Sequence, residues 1–191
     1  MKFLAIDTSG KEVLVVARNE DACSIVEIMP EINVSTSVMG AISQALADVS
    51  LTPAELEMIA AVVGPGSFTG LRIGVSVANG MAYALSCKRL AVMALDVLLL
   101  GRAEDCVALI PSRVGCCYSK QGAVCRELTP EEISLIADSV GLVAPATHVL
   151  SRAQYAANLD KYCALHFEES TTQALEPVYL KKSQAERLRH D

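Results

Sequence analysis

Apolar and polar positions change rhythm several times along the chain, and each change marks an element. KFLAIDTS, EVLVVAR and CSIVEIM are short apolar-rich runs separated by tight turns, the first at Gly10-Lys11. They predict three strands in an antiparallel meander. From about Ser35 to Val49 the period becomes helical, with Val38, Ala41, Ile42, Ala45, Leu46 and Val49 on one face. LTPAEL reads as a helical turn or linker and MIAAVV as a buried strand. The glycine loop VVGPGSFTG follows, then a helical pattern over about 70–86 and a strand near RLAVMA.

The same order then begins again. CVALIPS, GCCYSK and GAVCREL are three more strand-like runs. Thr129 as N-cap, Pro130 at the first helical position and Glu132 closing a capping box predict the next helix. ATHVL reads as a short strand and RAQYAANLDKYCAL as a helix. Two rounds of this order predict an α/β chain with the duplicated ribonuclease-H-like fold of the actin, Hsp70 and sugar-kinase group. Each half is a mixed sheet flanked by helices, over residues 1–104 and a shortened 105–191.

Composition narrows the functions open to such a chain. Among its 191 residues 52% are hydrophobic and 20% charged, enough for a packed core. The net charge of −6, the absence of Trp and 4% aromatic residues argue against a general nucleic-acid surface or a base-stacking platform. One local exception is the tail LKKSQAERLR, with Lys181, Lys182, Arg187 and Arg189 against Glu186. It reads as a solvated end or as a contact for a polyanion or acidic partner. The apolar run LAVMALDVLLLG is too short to span a membrane and contains Asp96, and Asp7 interrupts any signal-like segment. Seven cysteines without a CxxC spacing point to buried thiols in a cytoplasmic setting.

A complete catalytic set does not emerge. In this fold ATP lies between the halves, with a phosphate loop and an acid after the first strand of each half. Asp7, Thr8, Ser9 and Gly10 fit the first loop. The second offers Pro111-Ser112-Arg113, without an acid. A two-metal nuclease would need carboxylates on MIAAVV, which has none. His148, His166 and His190 stand in no metal-binding spacing, and Ser67 is not in a GxSxG elbow. No catalytic residue, metal or cofactor is therefore assigned. GPGSFTGLR is neither a Walker loop nor a dinucleotide fingerprint. Two roles fit it: a weak anion site of Gly64, Gly66, Ser67, Thr69, Gly70 and Arg72 beside Asp7, Thr8 and Ser9, or a tight turn whose glycines allow close helix–strand packing.

MKFLAIDTSG, GPGSFTGLRIG and EPVYLKK together resemble the TsaB family, also called YeaZ. The resemblance covers the first half almost continuously and a few points of the second. It implies the duplicated actin-like fold and a non-catalytic subunit in bacterial synthesis of threonylcarbamoyladenosine on tRNA. In that family a paralogous TsaD-type subunit is the catalyst, a TsaE-type ATPase docks on the pair, and tRNA is met only through the complex. A homodimer is possible when the subunit is alone. The chain is shorter than usual for the family. Pro111 and Cys116 stand where many members carry acids, and NVSTS lacks a His often found there.

The helix over 70–86 suggests where pairing occurs. On a wheel, Arg72, Ser76, Asn79, Tyr83 and Ser86 form one narrow polar face, leaving an apolar arc of roughly 220°. Gly80 and Ala84 lie with Ile73, Gly74, Val77, Met81 and Leu85; Leu71, Val75, Ala78 and Ala82 form the other flank. Two coverings are open: the chain's own second half, or a partner bound by the spare flank together with Val38, Ile42 and Leu46. An ATP-dependent kinase or ATPase, and a homodimeric module with an unrelated partner, remain as alternatives.

Overall fold

The computed structural model describes residues 1–29, 33–104, 106–113, 115–137, 142–143 and 151–180. Strands β1 (Lys2–Asp7), β2 (Val13–Asn19) and β3 (Ala22–Ile28) form the expected meander. Helix α1 (Val34–Asp48) follows, capped by Asn33, whose side chain accepts from the Thr36 N–H. LTPAEL holds a single helical turn over Pro53–Glu55. Strand β4 (Met58–Gly64), helix α2 (Phe68–Leu85) and strand β5 (Lys88–Met93) then complete a five-stranded mixed sheet in the order β3-β2-β1-β4-β5.

The second sheet repeats the plan in miniature. Strands β6 (Val107–Pro111), β7 (Cys117–Gln121) and β8 (Val124–Leu128) are an antiparallel meander. After helix α4 (Pro130–Ala137), the two-residue strand β9 (Leu142–Val143) pairs parallel to β6, as β4 pairs parallel to β1. The capping box forms as read: Glu132 accepts from the Thr129 N–H at 2.8 Å. The strand expected at ATHVL lies outside the described residues, as do His148, His190 and the basic tail.

Two elements depart from the pattern reading. The run LAVMALDVLLLG divides between β5 and a short helix, α3 (Ala94–Leu99). Helix α5 (Arg152–Leu165), which follows the second sheet in the chain, packs on the first. β1 and β4 are thus covered on both faces and are apolar from Phe3 to Ile6 and from Met58 to Val63, as strands buried on two sides require. Leu4, Ile6, Ile59 and Ala61 face α1 and α2, while Phe3, Ala5, Met58 and Ala60 face α3 and α5. Ion pairs fasten α5: Arg18 donates from Nε and Nη2 to the two oxygens of the Asp160 carboxylate, and Arg152 Nε donates to Glu27 Oε1 at 2.7 Å.

Candidate functional site

Strand β1 delivers Asp7 to the carboxyl edge of the sheet, where Thr8 and Ser9 meet the glycine loop before α2. The meeting is close. The Ser67 N–H donates to the Ser9 carbonyl at 2.7 Å, and Thr8 Oγ1 donates to the Gly70 carbonyl at 2.7 Å. Ser67 caps α2, its hydroxyl accepting from the Gly70 N–H at 3.3 Å. A Cβ on Gly70 would stand 1.9 Å from the Thr8 carbonyl oxygen, one on Gly74 2.4 Å from Thr8 Oγ1, and one on Gly66 2.5 Å from Ser9 Cβ. Gly64, at φ +151°, leaves room for the Val178 carbonyl, which would stand 2.4 Å from a Cβ there. Gly64, Gly66 and Gly70 let backbone approach backbone, and Gly74 makes room for the Thr8 side chain.

Asp7 is buried and both its oxygens are occupied. Oδ1 accepts from the Ser9 N–H at 2.8 Å, and Oδ2 accepts from the Tyr155 hydroxyl at 2.9 Å. Tyr155 comes from α5, and its role had no signal in the sequence. Burial, then the neighbouring carboxylate, raises its pKa well above the ordinary tyrosine range, so it remains a donor. Beyond this pair opens a cleft of about 740 Å³, lined by Asp7, Ser9, Lys11, Pro111, Ser112 and Arg152 among others. At the second loop Ser112 Oγ donates to Glu127 Oε1 at 2.7 Å. Among the described residues no group of three or more His, Cys, Asp or Glu stands together as a metal site. His166 stacks on Tyr162 and pairs with Glu169 at 2.8 Å.

The structure therefore brings Asp7, Thr8, Ser9, Gly64, Gly66, Ser67 and Gly70 together, but sends Thr69 and Arg72 elsewhere. Those two line an outward groove with Phe68, Ile73, Ser76 and Val77. Arg72 lies 4.0 Å over the Phe68 ring and donates to the Tyr179 hydroxyl at 3.1 Å.

The expected pairing surface needs a larger correction. Val38, Ile42 and Leu46 of α1, and Leu71, Gly74, Val75, Ala78 and Ala82 of α2, are buried within the chain. The flank with Leu71, Val75, Ala78 and Ala82 is the one that packs on the sheet, and Gly74 sits on Thr8. What faces outward is the other flank. Ile73, Val77 and Met81 are half-buried, Ala84 is exposed, and a Cβ on Gly80 would touch nothing within 4 Å. Asn79, placed on the polar face by the wheel, instead clips the segment that follows α5. Its side chain donates to the Leu175 carbonyl and accepts from the Leu175 N–H, each at 2.9 Å.

A family model described as TsaD: tRNA N6-adenosine threonylcarbamoyltransferase matches residues 28–119. Over 148 residues the chain is 32% identical to the Bacillus subtilis (strain 168) tRNA threonylcarbamoyladenosine biosynthesis protein TsaB, covering 72% of this chain and 64% of that protein. The chain belongs to the TsaB/YeaZ family. A Haemophilus influenzae TsaB of the same description is 28% identical over 126 residues, covering 63% of this chain and 53% of that one. The chain thus matches less than two thirds of the length of these TsaB relatives. Two solved Pseudomonas aeruginosa structures share its fold. YeaZ superposes with a TM-score of 0.71 at 24% identity, and a protein described as similar to peptidase YEAZ with 0.74 at 23%. Each match covers 94% of this chain and 99% of the other.

Proposed function

We propose that this TsaB/YeaZ-family chain serves tRNA threonylcarbamoyladenosine biosynthesis as a non-catalytic subunit. It pairs with a TsaD-type catalytic subunit through the outward flank of α2, a TsaE-type ATPase docks on the pair, and tRNA is reached only through the complex. Alone, the same flank lets the chain pair with itself. In this reading 1–104 and 105–191 are the two halves, with α5 of the second lent to the first sheet, and the setting is cytoplasmic. No helix among the described residues is long and apolar enough to cross a membrane.

The observation that carries the proposal is the α2 flank itself: a long helix, well packed on one side, that leaves Ile73, Val77, Gly80, Met81 and Ala84 on the other. Helices approach closely where small residues sit between larger apolar ones. Support for the non-catalytic part comes from Asp7. Its two oxygens already accept from Ser9 and Tyr155, and the second loop presents Pro111 rather than a second acid, which disfavours the ATPase alternative.

The test is co-purification with the host's TsaD-type subunit. Gly80→Arg and Ala84→Arg should abolish it while the cooperative melt persists. Ala82→Arg is no test of pairing, because Ala82 is buried and its loss would report on folding. In parallel, depletion of the chain should lower threonylcarbamoyladenosine in tRNA, read by nucleoside mass spectrometry. Normal pairing of both folded variants would remove α2 from the interface, and unchanged nucleoside levels would remove the pathway.

A further inference from the structure

Two of the strings singled out in the sequence, GPGSFTGLRIG and EPVYLKK, meet in space. The segment Thr171–Leu180 runs as a strap along α2 and the ends of β4 and β5. Thr171 forms a two-way backbone bridge with Arg89, at 2.7 and 2.8 Å, and Arg89 Nη1 holds the Thr172 carbonyl at 2.8 Å. Asn79 clips Leu175, and the Val178 N–H donates to the Val63 carbonyl at 2.7 Å. The strap then delivers Tyr179 to the first turn of α2, with its ring 4.9 Å from that of Phe68.

The result is a small preformed platform of Phe68, Arg72, Val178 and Tyr179. Its three apolar members remain 38–41% exposed despite these fastenings. Arg72 spans it, over one ring and against the hydroxyl of the other, and has no carboxylate partner among the described residues. Among the described residues the adjoining groove, lined by Thr69, Ile73, Ser76 and Val77, carries no acid either. An ordered cation on an aromatic bed, beside an apolar groove with no acid of its own, complements an acidic apolar segment.

We propose that this platform is a charged anchor for the partner subunit: it receives an acidic, apolar segment of the TsaD-type protein, and the strap holds it in shape. The inference rests on the pairing proposed above and deepens it, because it adds a second contact at the N-terminal end of α2 that the helix alone does not supply.

Calorimetric titration of the full chain with the host's TsaD-type subunit, at low and high salt, tests it. Arg72→Gln and Tyr179→Ala should each weaken binding about tenfold, as loss of an interface anchor does. Arg72→Gln should also flatten the salt dependence. The double variant should lose less than the product of the two, because they act as one unit. Tyr179→Phe, which keeps the ring, should lose less than Tyr179→Ala. Gly80→Arg separates the two readings. If it blocks pairing while Arg72→Gln and Tyr179→Ala bind within about twofold of the parent, the platform is refuted and the pairing stands. If all three bind normally, both are refuted.

Discussion

Gly70→Ala and Gly80→Ala place the same methyl group in the same helix and should move stability in opposite directions. Both substitutions replace glycine by the best helix former, which favours the folded state by about 0.5–1 kcal/mol. At Gly80 nothing lies within 4 Å of the new Cβ, so that gain should appear nearly whole. At Gly70 the Cβ would stand 1.9 Å from the Thr8 carbonyl oxygen, a backbone atom directly after β1 that cannot swing aside as a side chain can. Overpacking of this kind costs about 1–3 kcal/mol or more. Separation of α2 from the loop also stretches the Thr8 Oγ1 to Gly70 carbonyl bond, worth about 0.5–1.5 kcal/mol. The two variants should therefore differ by about 2–4 kcal/mol, or roughly 5–15 °C in Tm for a chain of this size. Urea and thermal unfolding followed by circular dichroism measure both. A Gly70→Ala protein as stable as Gly80→Ala would show that the glycine loop is not there for close packing.

Three further outcomes follow from the same geometry. Tyr155→Phe leaves Asp7 Oδ2 without its donor and should cost about 1.5–3 kcal/mol in urea unfolding. The Tyr155 pKa is raised in the folded state, so its contribution is complete below about pH 10 and is lost as pH rises beyond it; the variant should lack that part of the alkaline decline. Asn79→Ala strands the Leu175 N–H and carbonyl and should cost about 1–3 kcal/mol, with faster proteolytic cleavage after α5 as the direct readout. All seven cysteines are free: native labelling should reach exposed Cys23 first, and buried Cys87, Cys116 and Cys163 only on unfolding, with seven thiols titrating in denaturant.

Local signals in the sequence carried most of the fold, and long-range ones did not. The β1–β3 meander, the capping box at Thr129 and the helical period of α1 and α2 are set by neighbours within a few residues, and the structure keeps them. α3 was hidden because a helix of six residues is too short to show a helical period, and its mainly apolar run, broken by Asp96 alone, reads like a strand. The wheel of α2 gave a broad apolar arc, but a wheel has no absolute orientation. Gly74 and Gly70 decide it, because only they admit Thr8, and that turns the Leu71–Ala82 flank inward. Arg72 and Asn79 looked like solvent-facing polar residues because their partners, Tyr179 and Leu175, are remote in the chain. Tyr155 was silent for the same reason: nothing around it in α5 announces a hydrogen bond to Asp7, 148 residues away.

The strap also places a condition on biosynthesis. Asn79 waits for Leu175, which lies 96 residues further along the chain. At ribosomal speeds of about 5–20 residues per second, α2 is exposed for on the order of 5–20 s before its fastening is made. The surface proposed for pairing therefore matures only after the strap has been made, although its helix is made early. A nascent chain that stops before the strap presents α2 without Tyr179 beside Phe68 and Arg72. On the proposed pairing, chains that stop short of the strap should be poor competitors for the partner.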